Sequence, residues 1–330
     1  MERNLGMDLI RCTEAAALRA GRLMGRGDKN AGDQAAVDAM RLMLDSVQMD
    51  GMVVIGEGEK DEAPMLYTGE RVGTGEPPMV DIAVDPVEGT TLLAEGMPGA
   101  IAVVAIAERG SLYTWSGLAY MDKLAVGERA RGAINIDAPV EENIRNVAKA
   151  LKKNLEDITV VVLDRPRHKE LIKQIRATGA RIKLILHGDV SAGVMTSIED
   201  PPADMLMGIG GAPEAVITAA ALKCLGGEMQ CKLWARNDEE RALVVENKLD
   251  LNKIYSIDDL VKGENVFFAA TGITDGEFLR GVRYFSGGAR TQSVAMRSAS
   301  GTMRYIDATH RWDKLMRISD VDYTHADPKR

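Results

Sequence analysis

Aromatic residues make up only 4% of this 330-residue chain, and it has four histidines, three cysteines and no excess of positive charge. Each shortage excludes something. Cys12, Cys224 and Cys231 are odd in number and form no CxxC pair, so neither a disulfide framework nor a zinc knuckle is supported, and a reducing, cytoplasmic compartment fits best. A formal charge of -8 argues against a general nucleic-acid binder, so an anionic ligand has to be met by local basic groups or bound cations. The longest apolar run, residues 100 to 107, falls well short of the roughly 20 residues that span a bilayer. Near the N-terminus, Arg3, Arg11, Glu14, Arg19 and Arg22 interrupt any signal-peptide core, whereas Leu5, Leu9, Cys12, Ala16 and Leu18 repeat as on an amphipathic helix. Neither a membrane nor a nucleic acid is expected as a partner.

What the chain does have is length, 33 glycines and 45% hydrophobic residues, enough for two packed lobes. Periodicity predicts helices at about 5–24 and 32–48 and strands at 52–56, 79–85, 100–107 and 111–116, a mixed first lobe over 1–139. From 140 the rhythm alternates: helix 140–152, strand 158–163, helix 167–178, strand 181–186, helix 189–197, strand 204–208, helix 213–225. Such alternation predicts a parallel sheet covered on both faces, and with it an α/β lobe over 140–330 that returns to β-rich sequence near 255–310. The polar stretch from Ser319 onward reads as a frayed end, and His310 and His325 as surface residues.

Acidic residues recur where strands end. In Val80-Asp-Ile-Ala-Val-Asp85-Pro-Val-Glu88-Gly-Thr-Thr91 the alternation of Val80, Ile82 and Val84 marks a strand. Pro86 is expected to stop it, and Gly89 and Thr90 to open a helix whose start favours an anion. Asp85 and Glu88 are hard oxygen donors suited to Mg²⁺ or Mn²⁺, although the same residues also make an ordinary turn. A second group follows Val53-Val-Ile, where Glu57 stands between Gly56 and Gly58 and is followed by Glu59 and Asp61. Glycine on both sides permits close approach of a ligand, and a solvated acidic turn is the alternative. Asp33 lies ahead of the second helix, either as a cap or as a ligand, with Lys29 in the same glycine-rich loop. Glu214 follows Gly208-Ile-Gly-Gly211-Ala-Pro213, a strand, turn and helix start. That turn only loosely matches a dinucleotide-binding loop, because Pro213 occupies the place of the third glycine. Basic groups come at Arg165 and Arg167 after the strand 158–163, and His187-Gly188-Asp189 ends the next strand on the same edge.

Taken in order, GRGDKN at 25–30, the GEGE and DEAPMLY segments within 56–67, VDIAVDPVEGT at 80–90, Tyr120-Met121, DRPRH at 164–168, GIGGAPE at 208–214 and ATGIT at 270–274 make the chain resemble a class II fructose-1,6-bisphosphatase of the lithium-sensitive, metal-dependent phosphomonoesterase superfamily. The resemblance runs over almost the whole chain. It implies a layered α-β-α-β-α fold and hydrolysis of the 1-phosphate of fructose 1,6-bisphosphate, with an inositol-monophosphatase-like phosphomonoesterase and a nucleotide-binding regulatory module as the alternatives.

Position by position, the resemblance implies that Asp33 and Glu57 hold one divalent cation and that Asp85, Glu88 and Glu214 hold another, with two or more Mn²⁺ or Mg²⁺ ions in all. It implies sugar-phosphate contacts by Glu88, Gly89, Thr90, Tyr120, Arg165, Pro166, Arg167, His187, Gly188, Asp189 and Gly211. Lys29, Asp61, Glu57 and Thr90 match groups beside the reacting phosphate, where an activated water attacks in line without a phosphoenzyme. His187 stands where many members have Asp, and Arg165 where some have Lys. The tail after Gly287 resembles a branch that includes cyanobacterial enzymes acting on both fructose and sedoheptulose bisphosphates. A homo-oligomer, dimer or tetramer, is the expected assembly.

Overall fold

The computed structural model describes residues 5–58, 65–114 and 118–325. In chain order the elements begin α1 (Gly6–Ala20), α2 (Lys29–Asp45), β1 (Asp50–Ile55), β2 (Arg71–Val72), β3 (Met79–Glu88), α3 (Thr90–Glu95) and β4 (Ile101–Glu108). They continue β5 (Tyr120–Val126), α4 (Val140–Leu151), β6 (Thr159–Leu163), α5 (Lys169–Ala177), β7 (Arg181–Ile185), α6 (Asp189–Met195), β8 (Met205–Gly211), α7 (Ala212–Leu225), β9 (Glu228–Trp234), α8 (Asp238–Glu246), β10 (Tyr255–Ser256) and α9 (Ile257–Leu260). The last are β11 (Phe267–Gly272), β12 (Arg283–Phe285), β13 (Gly288–Arg297), β14 (Thr302–Arg311) and α10 (Trp312–Leu315). This mixture of helices and sheets is the expected α/β class. No helix among the described residues is long and apolar enough to cross a membrane.

The chain divides into two compact units, one of residues 1–112 and 264–330, the other of 113–263. The sequence placed a single boundary at 139/140. Two pairings make the difference: β11 pairs antiparallel with β4, Phe267 opposite Ile106, which returns the C-terminal strands to the first unit's sheet, and β5 pairs with β8 and β9 in the second.

In the first unit the strand order is β12-β13-β11-β4-β3-β1-β2, with β14 on β13. Leu9, Cys12 and Ala16 of α1 and Ala36, Met40 and Leu44 of α2 bury their apolar faces in one core with Val53, Ile82, Val104 and Phe267. The C-terminal segment is not frayed through residue 325. Buried Arg19 donates to the carbonyls of Asp322 at 2.7 Å and His325 at 2.5 Å, Arg22 donates to that of Tyr323 at 2.7 Å, and Tyr323 stacks on Trp312. Nor is His310 a free surface residue, for its Nε2 lies 2.9 Å from the Thr291 hydroxyl and its side chain is only 13% exposed.

In the second unit the order is β10-β9-β5-β8-β6-β7. β6 runs parallel to β7 and β8, as the alternating rhythm predicts, whereas β5 is antiparallel to both β8 and β9. The sheet is therefore mixed, and β5 and β9 are strands the periodicity reading passed over. Ile144 and Val147 of α4 and Ile172 and Ile175 of α5 pack with Leu124, Val160, Val162 and Met205.

Candidate active site

The first unit assembles its acids by two local devices. β3 does not stop at Pro86; it runs on to Glu88 with a register shift against β4 between Asp85, opposite Val103, and Glu88, opposite Ile101. Three residue steps on β3 thus match two on β4, a bulge that accommodates a proline lacking a ladder donor. It also corrects the facing: residues three apart on a regular strand point to opposite faces, and one inserted residue returns them to the same face. Carboxylate oxygens of Asp85 and Glu88 accordingly lie within 4.8 Å of each other. Asp85 Oδ1 accepts the Val87 N–H at 3.1 Å, tightening the turn. Gly89 follows at φ 92°, a left-handed conformation that favours glycine, and Thr90 opens α3. This helix is only six residues long, so its dipole adds little at Thr90.

The second device joins α2 to the end of β1. Asp28 caps α2 by accepting the Ala31 N–H at 2.9 Å, which leaves Asp33 as a residue of the helix and not its cap. The Asp33 carboxyl is hydrogen-bonded to that of Glu57. Burial pushes the Glu57 carboxyl far above the usual carboxylate range, and the Asp33 charge and hydrogen bond push it the same way. Burial raises Asp33 as well. Two acids raised together in this manner mark a place short of positive charge. Glu57 is held by its own N–H, which donates to the Leu66 carbonyl at 3.0 Å; a Cβ on Gly56 would stand 1.9 Å from that carbonyl oxygen. Lys29 is exposed at the start of α2. Asp61 lies outside the described residues.

The second unit gathers its groups at one sheet edge. Because β6, β7 and β8 are parallel, the segments after them bring Arg165, Pro166 and Arg167, then His187, Gly188 and Asp189, then Gly211 and Glu214 to the same carboxyl-terminal side. β5 is antiparallel, so it contributes its first residue, Tyr120, directly opposite Gly211. The Arg167 guanidinium lies 5.0 Å from the Tyr120 ring centre and donates to the Ile209 carbonyl at 2.8 Å. Arg165 donates to His187 Nδ1 at 3.3 Å. Arg236 stands 5.6 Å from the same Tyr120 ring, which meets Trp234 edge-on. Neither Arg236 nor Trp234 was singled out from the sequence, because both lie just at or beyond the unrecognised β9. Two guanidiniums against one tyrosine, with Arg165 on the same sheet edge, form a strong anion-binding surface.

Behind this edge, Glu214 follows Pro213 in the first turn of α7. Its Oε2 is buried with no hydrogen-bond partner among the described residues, and burial followed by repulsion from Asp189 raises its pKa. Lys123 and His168 are further members: Lys123 carried no sequence signal, and His168 belongs to the DRPRH segment without a role of its own. His168 Nδ1–H donates to the Leu163 carbonyl at 2.6 Å while Nε2 accepts the Ile209 N–H at 2.8 Å, so the ring is neutral and ties the Arg165–Arg167 loop to β8.

Burial holds the His168 pKa below its usual value, outweighing the bond to Leu163, and the charges of Arg167 and Arg165 add to the lowering. The folded protein keeps this ring neutral where the unfolded chain would protonate it, so unfolding takes up a proton. Stability from this group is fully present above the unfolded value of about 6.5 and is lost as the pH falls from there through the lowered folded value. Melting temperatures of the parent and His168→Gln at pH 5.5 and 7.5 are expected to show a smaller acid-side drop in the variant; equal drops would remove this role.

A family model described as "Bacterial fructose-1,6-bisphosphatase, glpX-encoded" matches residues 3–310. A protein of Synechococcus elongatus named D-fructose 1,6-bisphosphatase class 2/sedoheptulose 1,7-bisphosphatase is 43% identical, over 97% of this chain and 99% of its own length. A protein of the same name from a Synechococcus species is 44% identical, over 95% of this chain and 97% of its own.

Proposed function

This chain belongs to the bacterial, glpX-encoded fructose-1,6-bisphosphatase family, and from that premise we propose that it hydrolyses the 1-phosphate of fructose 1,6-bisphosphate, using divalent cations. The reading is carried by what each unit holds by itself: paired carboxylates at the end of β3 and between α2 and β1 in the first, and a guanidinium-rich sheet edge in the second. A nucleotide-binding module has no use for the acid pairs.

The donor set fits hard, oxygen-liganded ions. Asp33 and Glu57 would hold one cation, and Asp85 and Glu88 a second, with Glu214 as a further ligand by family correspondence. The buried Glu214 oxygen, without a hydrogen-bond partner among the described residues, supports that assignment. When bound, such cations supply Lewis-acid stabilisation of phosphoryl charge and activation of water. The rest falls to the chain's own residues. Thr90 orients the reacting phosphate with its hydroxyl and Gly89 leaves room beside it, while Lys29 and Asp61 serve as polar groups for the same phosphate by family correspondence alone. Arg165 and Arg167, with Pro166 shaping their loop, fork onto the distal phosphate. Tyr120, His187, Gly188, Asp189 and Gly211 line the sugar, and Glu88 serves cation and substrate together. Because charge spreads over the phosphoryl oxygens in the transition state, positioning and electrostatics supply most of the acceleration.

Activity on sedoheptulose 1,7-bisphosphate, an activity printed in the names of the Synechococcus relatives, is part of the proposal. So are a cytoplasmic setting, which suits three buried free thiols, and a homo-oligomeric state testable by sedimentation. A substrate panel with Mn²⁺ tests the reading. Phosphate release is expected from both sugar bisphosphates and to be far slower from inositol monophosphate. Preference for inositol monophosphate would favour the related phosphomonoesterase instead.

A further inference from the structure

The second unit buries a lysine that no part of the proposed chemistry uses. Lys123, on β5, is 2% exposed, and a lysine so enclosed persists only with a partner. Its Nζ donates to Asp189 Oδ2 at 2.6 Å, and Asp189 is itself buried at the first turn of α6. The backbone makes room for this pair: a Cβ on Gly210 would stand 2.0 Å from Asp189 Oδ2 and 3.0 Å from Lys123 Nζ. After Asp189, the charge of Glu214 also favours the protonated lysine.

An ionised carboxylate accepts hydrogen bonds and offers none, so Asp189 repels a phosphate dianion and can receive only a donor such as a sugar hydroxyl. On the same sheet edge as Arg165 and Arg167, it is a carboxylate acceptor beside guanidiniums that would otherwise bind any phosphate ester. Its value depends on being fixed, and the buried Lys123 contact is what fixes it.

We propose that Lys123 is a positioning residue that holds Asp189 in place to receive a hydroxyl of the bound sugar, so that the site selects a sugar bisphosphate over phosphate alone. This inference rests on the sugar-bisphosphatase reading.

The test compares the full-length parent with Lys123→Met under saturating Mn²⁺, through the KM for fructose 1,6-bisphosphate and through inhibition by inorganic phosphate measured at substrate equal to each enzyme's KM. The expected result is a KM raised about tenfold, with kcat and phosphate inhibition each changed less than about twofold, since an interaction made with the sugar alone is lost. A parallel weakening of phosphate inhibition, or an unchanged KM, overturns the proposal. Should Lys123→Met not fold, Asp189→Asn keeps the side-chain shape and is expected to raise the same KM without moving phosphate inhibition; a parental KM there overturns it equally. Failure of the parent itself to turn over fructose 1,6-bisphosphate would strike the underlying reading instead.

Discussion

Asp85→Asn and Glu57→Gln are each expected to lower kcat/KM on fructose 1,6-bisphosphate by roughly 10³-fold at saturating Mn²⁺. An amide keeps the shape of the carboxylate but removes its charge. A catalytic cation contributes several kcal/mol of transition-state stabilisation, and each 1.36 kcal/mol is about tenfold in rate. Loss of about 4 kcal/mol therefore gives the stated drop. The two variants probe different neighbourhoods, the bulge of β3 for Asp85 and the α2–β1 junction for Glu57. In metal-free solution Glu57→Gln should melt no lower than the parent, since it relieves repulsion with Asp33. Steady-state rates and a melting curve check both statements. Activity within tenfold of the parent would remove the assignment, and a large loss of metal-free stability would make Glu57 a structural residue.

Gly210→Ala is expected to destabilise the protein by about 3–5 kcal/mol, the range found when a buried ion pair is broken. The added methyl cannot share the space now held by Asp189 Oδ2 at 2.0 Å and Lys123 Nζ at 3.0 Å. Neither group has an easy retreat, because both are buried and each is the other's partner. The backbone of Gly210 is not in the left-handed region, so the cost is steric and not conformational. Denaturant unfolding measures it. A midpoint corresponding to less than about 1 kcal/mol of change would show that the pair can move aside, and with it that Asp189 is not rigidly held.

Much of this was legible in the sequence because it is local. The amphipathic faces of α1 and α2, the alternation along β3 and the acids at strand ends are all written within a few consecutive residues. The misreadings have local causes too. Pro86 was read as a stop because it lacks an N–H, but a bulge needs none there, and the same bulge is what sets Asp85 beside Glu88. β5 was hidden by Lys123, a charge at an inward position that makes sense only once Asp189, 66 residues on, is its partner. β9 alternates cleanly in burial, yet its inward Met229 and Cys231 sit among Glu228, Gln230 and Lys232, a mixture that periodicity alone weighs poorly. The boundary at 139/140 missed the pairing of β11 with β4, which joins residues more than 150 apart in sequence. Arg19 and Arg22 hold the C-terminal segment through its backbone carbonyls, which no side-chain pattern announces.

The central claim is that carboxylates of this chain hold divalent cations that drive hydrolysis of a sugar bisphosphate. Phosphate release from fructose 1,6-bisphosphate by the full chain, measured before chelation, after removal of divalent cations and after their return, tests it most directly. The account predicts turnover that collapses on chelation and is restored by Mn²⁺ or Mg²⁺. A chelated protein that keeps its full rate, or one that no divalent cation activates, would contradict it.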